Sequence, residues 1–305
     1  MFFRNLTLFR FSAETAAALD RLDAALDAQR LRPVGPLELA THGFVSPLGP
    51  GEGPLSIGIG ACTLLTLGRE DKLLPAAVIN AELARRVRAV AAQRGQNVGG
   101  RERKRLKEAV LEELLPRAFA RPSQLSAYLD RKNGWVVLDT SSRKAAEQAL
   151  TALRQALDSF PALPLAPEQA PRLLMTDWLS RGKLPASLSL GDECELRDPA
   201  SAQGAVVRCR RQALESEEVR EHLKSGKQVA QLGLEFDGRL AFVLGEDLCL
   251  RKLRFLDVVQ GELDSSARES AAAEIDARFA LMTLELERLL DKLEEWFGLP
   301  RPGAV

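Results

Sequence analysis

The stretch from Pro75 to Pro122 constrains this chain more than any other. It reads as two helices of about fifteen residues, roughly 22 Å each, interrupted by Gly95, Gly99 and Gly100 and followed by Leu-Leu-Pro-Arg-Ala-Phe-Ala-Arg-Pro. In the first helix Ile79, Leu83, Val87 and Val90 share a face, with Arg85 and Arg88 pointing away from it. In the second Leu106, Val110 and Leu114 form the apolar stripe, with Arg101, Lys104 and Arg105 outside. Between positions 85 and 107 stand nine bases: Arg85, Arg86, Arg88, Arg94, Arg101, Arg103, Lys104, Arg105 and Lys107. Glu102 is the one acid in that window, in a chain whose formal net charge is zero. A negatively charged partner, or an acidic part of the same protein, has to answer that excess.

The acids are segregated as well. From Asp257 to Glu295 there are eleven acids against Arg268, Arg278, Arg288 and Lys292. Global neutrality therefore does not exclude a polyanion, because phosphate binding depends on a local patch. At 305 residues the chain exceeds what one core usually organises, so two or three subdomains are expected. The opening Met-Phe-Phe-Arg-Asn-Leu-Thr-Leu-Phe-Arg-Phe is too short and too charged for a secretory leader, and no apolar run has the length of a membrane span. Cys62, Cys194, Cys209 and Cys249 are widely spaced and read as small core residues.

Residues 2–11 alternate as a strand, and Ser12 caps a helix with Thr15, Leu19, Leu22 and Leu26 on one face. Residues 32–54 are rich in Pro and Gly. Ser56–Leu67 reads as one strand, with a turn at Gly68-Arg69-Glu70-Asp71. Ser126–Asp139 reads as a hairpin around Asn133-Gly134, and Ser142 caps a helix with Ala145, Ala149, Ala152, Leu153 and Leu157 inward. The prolines from Pro161 to Pro171 suggest a linker or a wrapping segment. Strands at 190–196, 205–210, 229–236, 240–243 and 249–255, with a short helix at 216–223, form an antiparallel meander. Ile275, Phe279, Met282, Leu286, Leu289, Leu293 and Trp296 repeat in steps of four and three, a long helix stopped by Gly298 and Pro300. It packs on the meander, on a neighbouring subunit or in a coiled coil. The fold class is α+β, with antiparallel sheets, packed helices and a projecting basic helical hairpin. The expected division is a discontinuous central domain (1–74 and 123–165), a helical finger (75–122) and a base (166–305).

Motifs for chemistry are scarce. Gly49-Pro50-Gly51-Glu52-Gly53 lacks the Lys-Ser/Thr that would hold phosphates and Mg²⁺, and Gly58-Ile59-Gly60 lacks the third glycine of a dinucleotide loop. His42 and His222 are too few and too separated for a His-based metal site or an evident triad. Glu112-Glu113 and Glu217-Glu218 read as solvated helix faces rather than a nuclease centre. The chain is therefore expected to be no enzyme and to carry no cofactor or metal. Further basic elements are Arg208, Arg210, Arg211, Gln212, Lys224 and Lys227, and then Arg251, Lys252 and Arg254. Between Ala76 and Leu115 there is no aromatic side chain on which an unpaired base could stack, so duplex backbone binding fits the finger better. Phe119, between Arg117 and Arg121, either plugs the base of the finger or makes a subunit contact.

Several motifs resemble the RdgC family of recombination-associated proteins: Phe3-Arg4-Asn5-Leu6, Lys72-Leu73-Leu74-Pro75-x-x-Val78-Ile79 and Leu114-Leu115-Pro116-Arg117-Ala118-Phe119. So do Arg208-x-Arg210-Arg211-Gln212-x-Leu214-x-Ser216-Glu217-Glu218 and Arg251-Lys252-Leu253-Arg254-Phe255. The resemblance runs nearly end to end. It implies a ring-shaped homodimer that passes duplex DNA through a positively lined hole with little sequence preference. It also implies weaker binding of single strands, a cytoplasmic, nucleoid-associated location, and a role in recombination and replication-fork repair that restrains RecA-promoted strand exchange. Carried over by position, Phe119 would sit at an openable contact between subunits, with Pro122 beside it. Arg117, Arg211, Gln212 and Lys227 would fall at DNA-facing or contact positions. The turn Gly95-Gln96-Asn97-Val98-Gly99-Gly100 departs from the family's more charged run. The candidate DNA contacts are thus Arg85, Arg88, Arg94, Arg101, Arg103, Lys104, Arg105, Lys107, Arg117, Arg121, Arg208, Arg210, Arg211, Gln212, Lys224 and Lys227. A protein–protein adaptor whose finger docks an acidic partner, and a DNA-processing enzyme, are the competing classes.

Overall fold

The computed structural model describes residues 2–49, 51, 53–200, 204–264 and 271–303. Its chain order begins with β1 (Thr7–Phe11), α1 (Ala13–Ala18), a 3-10 turn (Leu19–Arg21) and α2 (Leu22–Ala28). Then come β2 (Ala40–Val45), β3 (Ser56–Ile59), β4 (Cys62–Lys72), α3 (Ala76–Arg94) and α4 (Gly100–Leu114). A second 3-10 turn (Leu115–Arg117) leads to β5 (Ala120–Asp130), β6 (Trp135–Leu138), α5 (Arg143–Ala156), β7 (Ala162–Pro164) and α6 (Pro171–Arg181). The remainder is β8 (Leu188–Arg197), β9 (Val206–Arg210), α7 (Glu217–Lys224), β10 (Gln228–Phe236), β11 (Leu240–Gly245), β12 (Leu250–Phe255), α8 (Asp257–Asp264) and α9 (Ala271–Phe297). The protein is α+β, with antiparallel sheets and packed helices.

The chain divides into two compact units. One comprises residues 1–28, 46–66 and 125–305, the other residues 29–45 and 67–124. In the first unit Ser12 accepts the Thr15 N–H and starts the helix it was expected to cap. Thr15, Leu19, Leu22 and Leu26 are its buried face. The regular strand before it is shorter than residues 2–11. Leu6 instead makes an isolated bridge to Leu250, which leaves residues 2–6 beside β12. β1 pairs antiparallel with β6 (Phe9↔Val136) and with β7 (Arg10↔Leu163), so the proline-rich linker supplies a short edge strand. β5 and β6 join at a turn where Asp130 Oδ1 accepts the N–H groups of Lys132 and Asn133 at 2.9 and 3.1 Å. Gly134 is left-handed there, and any Cβ would collide with the Phe11 carbonyl. The meander is a five-stranded sheet in the order β12-β11-β10-β8-β9.

α9 packs on that sheet. Phe279, Met282, Leu286, Leu289, Leu290, Leu293 and Phe297 join Leu232, Leu234, Phe236, Leu240 and Leu244 in one core. The heptad spacing is thus used within the unit. α6 carried no expectation, although Pro171 at its first turn and left-handed Gly182 at its end are ordinary helix signals. Its Met175, Trp178 and Leu179 are buried, and Trp178 meets Trp296 edge-on. Cys194, Cys209 and Cys249 are buried and Cys62 is half-buried, all as free thiols. Burial pushes the Cys62 and Cys194 thiols up to about 12.

The expected single strand at 56–67 is two strands. Gly60, left-handed at φ 58, lets β3 fold back on β4 with Ile59 opposite Cys62. The expected turn at 68–71 is strand. Gly68 leaves room for Val45 and Leu31, whose side chains would lie 2.7 and 2.9 Å from a Cβ there. Arg69 and Asp71, two apart and so on one face, pair at 2.6 Å. In the second unit β2, β4 and β5 are neighbours in that order.

Arg10 is 2% exposed, with its guanidinium 3.7 Å from the centre of the Trp135 ring and bonded to Glu294 on α9 at 2.5 Å. Glu294→Gln leaves that buried charge uncompensated. Urea unfolding should show a loss of about 3–5 kcal/mol, and a Met pair at positions 10 and 294 should cost less than the single change. A loss below about 1 kcal/mol for Glu294→Gln would mean that the pair does not hold the helix to the sheet.

Candidate nucleic-acid interface

The second unit carries the helix pair. α3 runs nineteen residues, longer than expected, and ends at left-handed Gly95. α4 runs fifteen and starts at Gly99 with no side-chain cap. The apolar stripes are narrower than the spacing suggests, since Leu83 and Val110 are the fully buried members. Two thin helices packed on each other cannot hide a full face of both, and their long basic stems cover part of it.

Glu102 is not alone in answering the bases. Glu82 takes Arg85 at 2.6 Å and Arg86 at 2.9 Å, Glu113 takes Arg86 across the two helices, and Glu102 takes Arg94 at 2.6 Å. Over the whole pair, positions 76–114, nine bases face five acids. The arginines hold Glu82 down to about 2, through hydrogen bonds from Arg85 and then Arg86. On α4, by contrast, Arg101, Arg103, Lys104, Arg105 and Lys107 are exposed and lie within 4 Å of no acid among the described residues. The larger run of uncompensated charge therefore sits on α4, with Arg88 the one base of α3 that meets no acid among the described residues. Arg88 only returns to the Ala84 carbonyl at 3.3 Å.

Arg117 is exposed in the 3-10 turn, and Arg121 and Pro122 are exposed at the start of β5. Phe119 is 82% exposed, so it does not plug the helix pair. Its backbone is held: the Leu73 N–H donates to the Phe119 carbonyl at 2.8 Å, and Lys72 Nζ reaches the Ala118 carbonyl at 3.2 Å. Leu73 and Leu39 are exposed beside it. The Lys72 N–H bonds the Leu39 carbonyl at 2.8 Å, so three large apolar side chains share these strand ends.

The remaining candidates belong to the first unit. Arg208 and Arg210 project from β9 two residues apart. Arg208 is paired at 2.7 Å with the buried carboxylate of Glu195, whereas Arg210 is exposed and has no such partner among the described residues. Lys224 is paired with Glu217 at 2.8 Å, and Lys227 is half-buried with its ammonium on Ser225 at 3.0 Å. Arg211 sits in the left-handed region at φ 56, where a non-glycine residue is uncommon, and so does Lys252 at φ 53. Both line one open groove of about 720 Å³ with Gln212 and Arg254, and Asp192, Glu193 and Glu235 line it too. The Arg211 cluster and the Lys252–Arg254 cluster, read separately from the sequence, therefore meet at a single groove of mixed charge. Among the described residues no group of three His, Cys, Asp or Glu side chains is placed to hold a metal ion, and no helix is long and apolar enough to cross a membrane.

These features define an α+β protein whose unpaired positive charge is concentrated on one helix of a pair. Residues 1–299 match the family described as "Putative exonuclease, RdgC". The chain is 47% identical over 305 residues to the recombination-associated protein RdgC of Xanthomonas campestris pv. campestris (strain B100), covering the whole of both. It is 48% identical over 295 residues to those of Xanthomonas oryzae pv. oryzae (strain MAFF 311018) and Xylella fastidiosa (strain 9a5c), covering 96% of this chain and 97% of each relative. The chain belongs to the RdgC family.

The Glu82 pairs can be read directly by titration. Because its pKa is depressed, the pairs are complete above the ordinary value of 4.5 and are lost as the pH falls towards about 2. A carboxyl-carbon NMR titration should give Glu82 a midpoint near 2. A midpoint near 4.5 would mean that Arg85 and Arg86 are as free as the cations of α4.

Proposed function

We propose that the chain binds duplex DNA through its phosphates, without base readout. In this reading it acts as a ring-shaped homodimer that encloses the duplex and restrains RecA-promoted strand exchange by occupying the DNA. The observation that carries the reading is the set of five exposed, unpaired cations on α4, from Arg101 to Lys107. Phosphates are the anions such a set fits: closely spaced, strongly charged and sequence-independent. Arg85 and Arg94 add charge only when their carboxylate partners let go, while Arg88, Arg117 and Arg121 extend the surface. Arg208, Arg210, Arg211, Gln212, Lys224 and Lys227 contribute from the first unit. The relatives' name, recombination-associated protein, supports DNA as the target. Exposed Phe119, with Pro122 beside it, supports a contact between two copies, since a side chain of that size gains most from being covered.

This is a binding role rather than a catalytic one, placed in the cytoplasm on the nucleoid at recombining or repaired forks. The exonuclease wording of the family description is the competing reading. Replacing Arg101, Arg103, Lys104, Arg105 and Lys107 together by Ala should weaken binding of a random-sequence duplex roughly 100-fold or more at 0.1 M salt, with the fold unchanged by circular dichroism. Phe119→Ser should keep affinity for linear duplex but change loading on closed circles. Full binding by the α4 variant would overturn the reading. Shortening of the duplex by the wild-type chain with Mg²⁺ or Mn²⁺ would establish the nuclease instead.

A further inference from the structure

A second groove lies in the first unit, where residues 2–6 run beside β12. The Leu253 N–H donates to the Arg4 carbonyl at 2.7 Å, and Leu6 and Leu250 exchange bonds at 2.7 and 3.0 Å. This pairing sets the side chains of the segment. Phe3 is buried in the core, next to Tyr128, whereas Phe2 lies against Phe255 with ring centres 4.2 Å apart and planes 14° from parallel. Phe2 remains half-buried and lines an open groove of about 730 Å³.

Among the charged residues of the lining, bases outnumber acids. Arg4 and Arg254 are exposed, and neither makes an ion pair within 4 Å among the described residues, although the Arg4 charge is felt by the Asp139 carboxyl. Arg278 also lines the groove, paired with Glu274 at 2.6 Å. Asp257 is the acid in the lining. Gln260 donates to the Phe255 carbonyl at 2.7 Å and so fixes the far wall. The α3–α4 pair offers cations without a single ring. Here a ring stacked on its neighbour lines the same groove as two exposed guanidinium groups. That combination is suited to the flat face of a base with phosphates on either side. A base inside a duplex presents no face, so only an unpaired strand can use it.

We propose that this groove binds single-stranded DNA, stacking one unpaired base on Phe2 while Arg4 and Arg254 hold the adjacent phosphates. It is separate from the α4 cations and extends the duplex-binding reading with a site for the displaced or unpaired strand. The two surfaces then make different demands. Duplex affinity depends on α4 and is indifferent to Phe2, whereas single-strand affinity depends on Phe2.

The test uses the full chain, an oligodeoxythymidylate of about 15 nucleotides carrying one 5-iodouracil, and a linear duplex of random sequence. Phe2→Ala should weaken oligonucleotide binding about 10-fold and leave duplex binding within about two-fold, and Phe2→Trp should restore the loss. Arg254→Ala, at an exposed position, should weaken the oligonucleotide without affecting folding. Ultraviolet crosslinking should attach the iodouracil to the peptide containing Phe2. Unchanged oligonucleotide binding in Phe2→Ala, an equal loss for both DNAs, or crosslinks confined to other peptides would each overturn the proposal. A wild-type chain that binds duplex but not the oligonucleotide would overturn it while leaving the duplex reading intact. Binding of neither would remove both.

Discussion

The first unit depends on a buried guanidinium. Arg10 stands on β1, pointing where an apolar residue would ordinarily sit. Its Nη1 donates to the Asn133 carbonyl at 2.7 Å, its plane covers Trp135, and its Nη2 meets Glu294 at 2.5 Å. Burial pulls its pKa below the ordinary arginine value, and Glu294 opposes that pull. Glu294 also receives Arg301, at 2.9 Å, from beyond the end of α9. Nine residues earlier, Glu285 is 1% exposed and paired with Arg239, at the β10–β11 turn, at 2.7 Å. A heptad stripe of Leu, Met and Phe can slide by a turn at modest cost, since one apolar side chain replaces another. A buried carboxylate at Glu285 and a half-buried one paired to buried Arg10 cannot slide without leaving a charge unpaired. The long helix is thereby set in one register against both sheets of the unit.

The same pairing rule, applied to the α3–α4 pair, separates its two helices. Glu82, with Glu102 and Glu113 from the second helix, occupies Arg85, Arg86 and Arg94 of α3 and leaves Arg88, whereas no acid among the described residues occupies the bases of α4. Surface pairs of this kind add little stability, but they decide which charges are available to a ligand. A strand of phosphates meeting this unit encounters Arg101 to Lys107 as its densest run of unpaired cations, with Arg88, Arg117 and Arg121 besides. Removing Glu82 would enlarge that set, so acids on α3 tune the strength of the surface.

Much of the fold was legible because local chemistry and packing agree. Ser12 and Ser142 cap helices where the apolar spacing begins, Asn133-Gly134 turns a hairpin, and the heptad from Ile275 to Trp296 is the buried face of α9. The failures have physical causes. Ser56–Leu67 is mostly apolar with no regular alternation of polar residues, so its period could not reveal that Gly60 reverses the chain. Gly68 reads as a turn until Val45 and Leu31 are seen crowding its missing side chain. The helix from Pro171 to Arg181 follows directly on a run of prolines that masks its start, although proline at the first turn of a helix is favourable. In the candidate interface the bases were visible individually. The pairing of α3, the freedom of α4, and the meeting of Arg211 with Lys252 depend on contacts between residues distant in sequence, which no local pattern encodes.

The central claim is that an uncompensated run of cations contacts the phosphates of a duplex. The most direct measurement is the affinity for a random-sequence linear duplex as a function of salt. Each phosphate neutralised releases counterions, so log affinity should fall linearly with log salt, with a slope of about −0.9 per contact and roughly five contacts from α4 alone. A slope of about −4 or steeper between 50 and 300 mM salt is the predicted result. Equal affinity across that range would contradict the account.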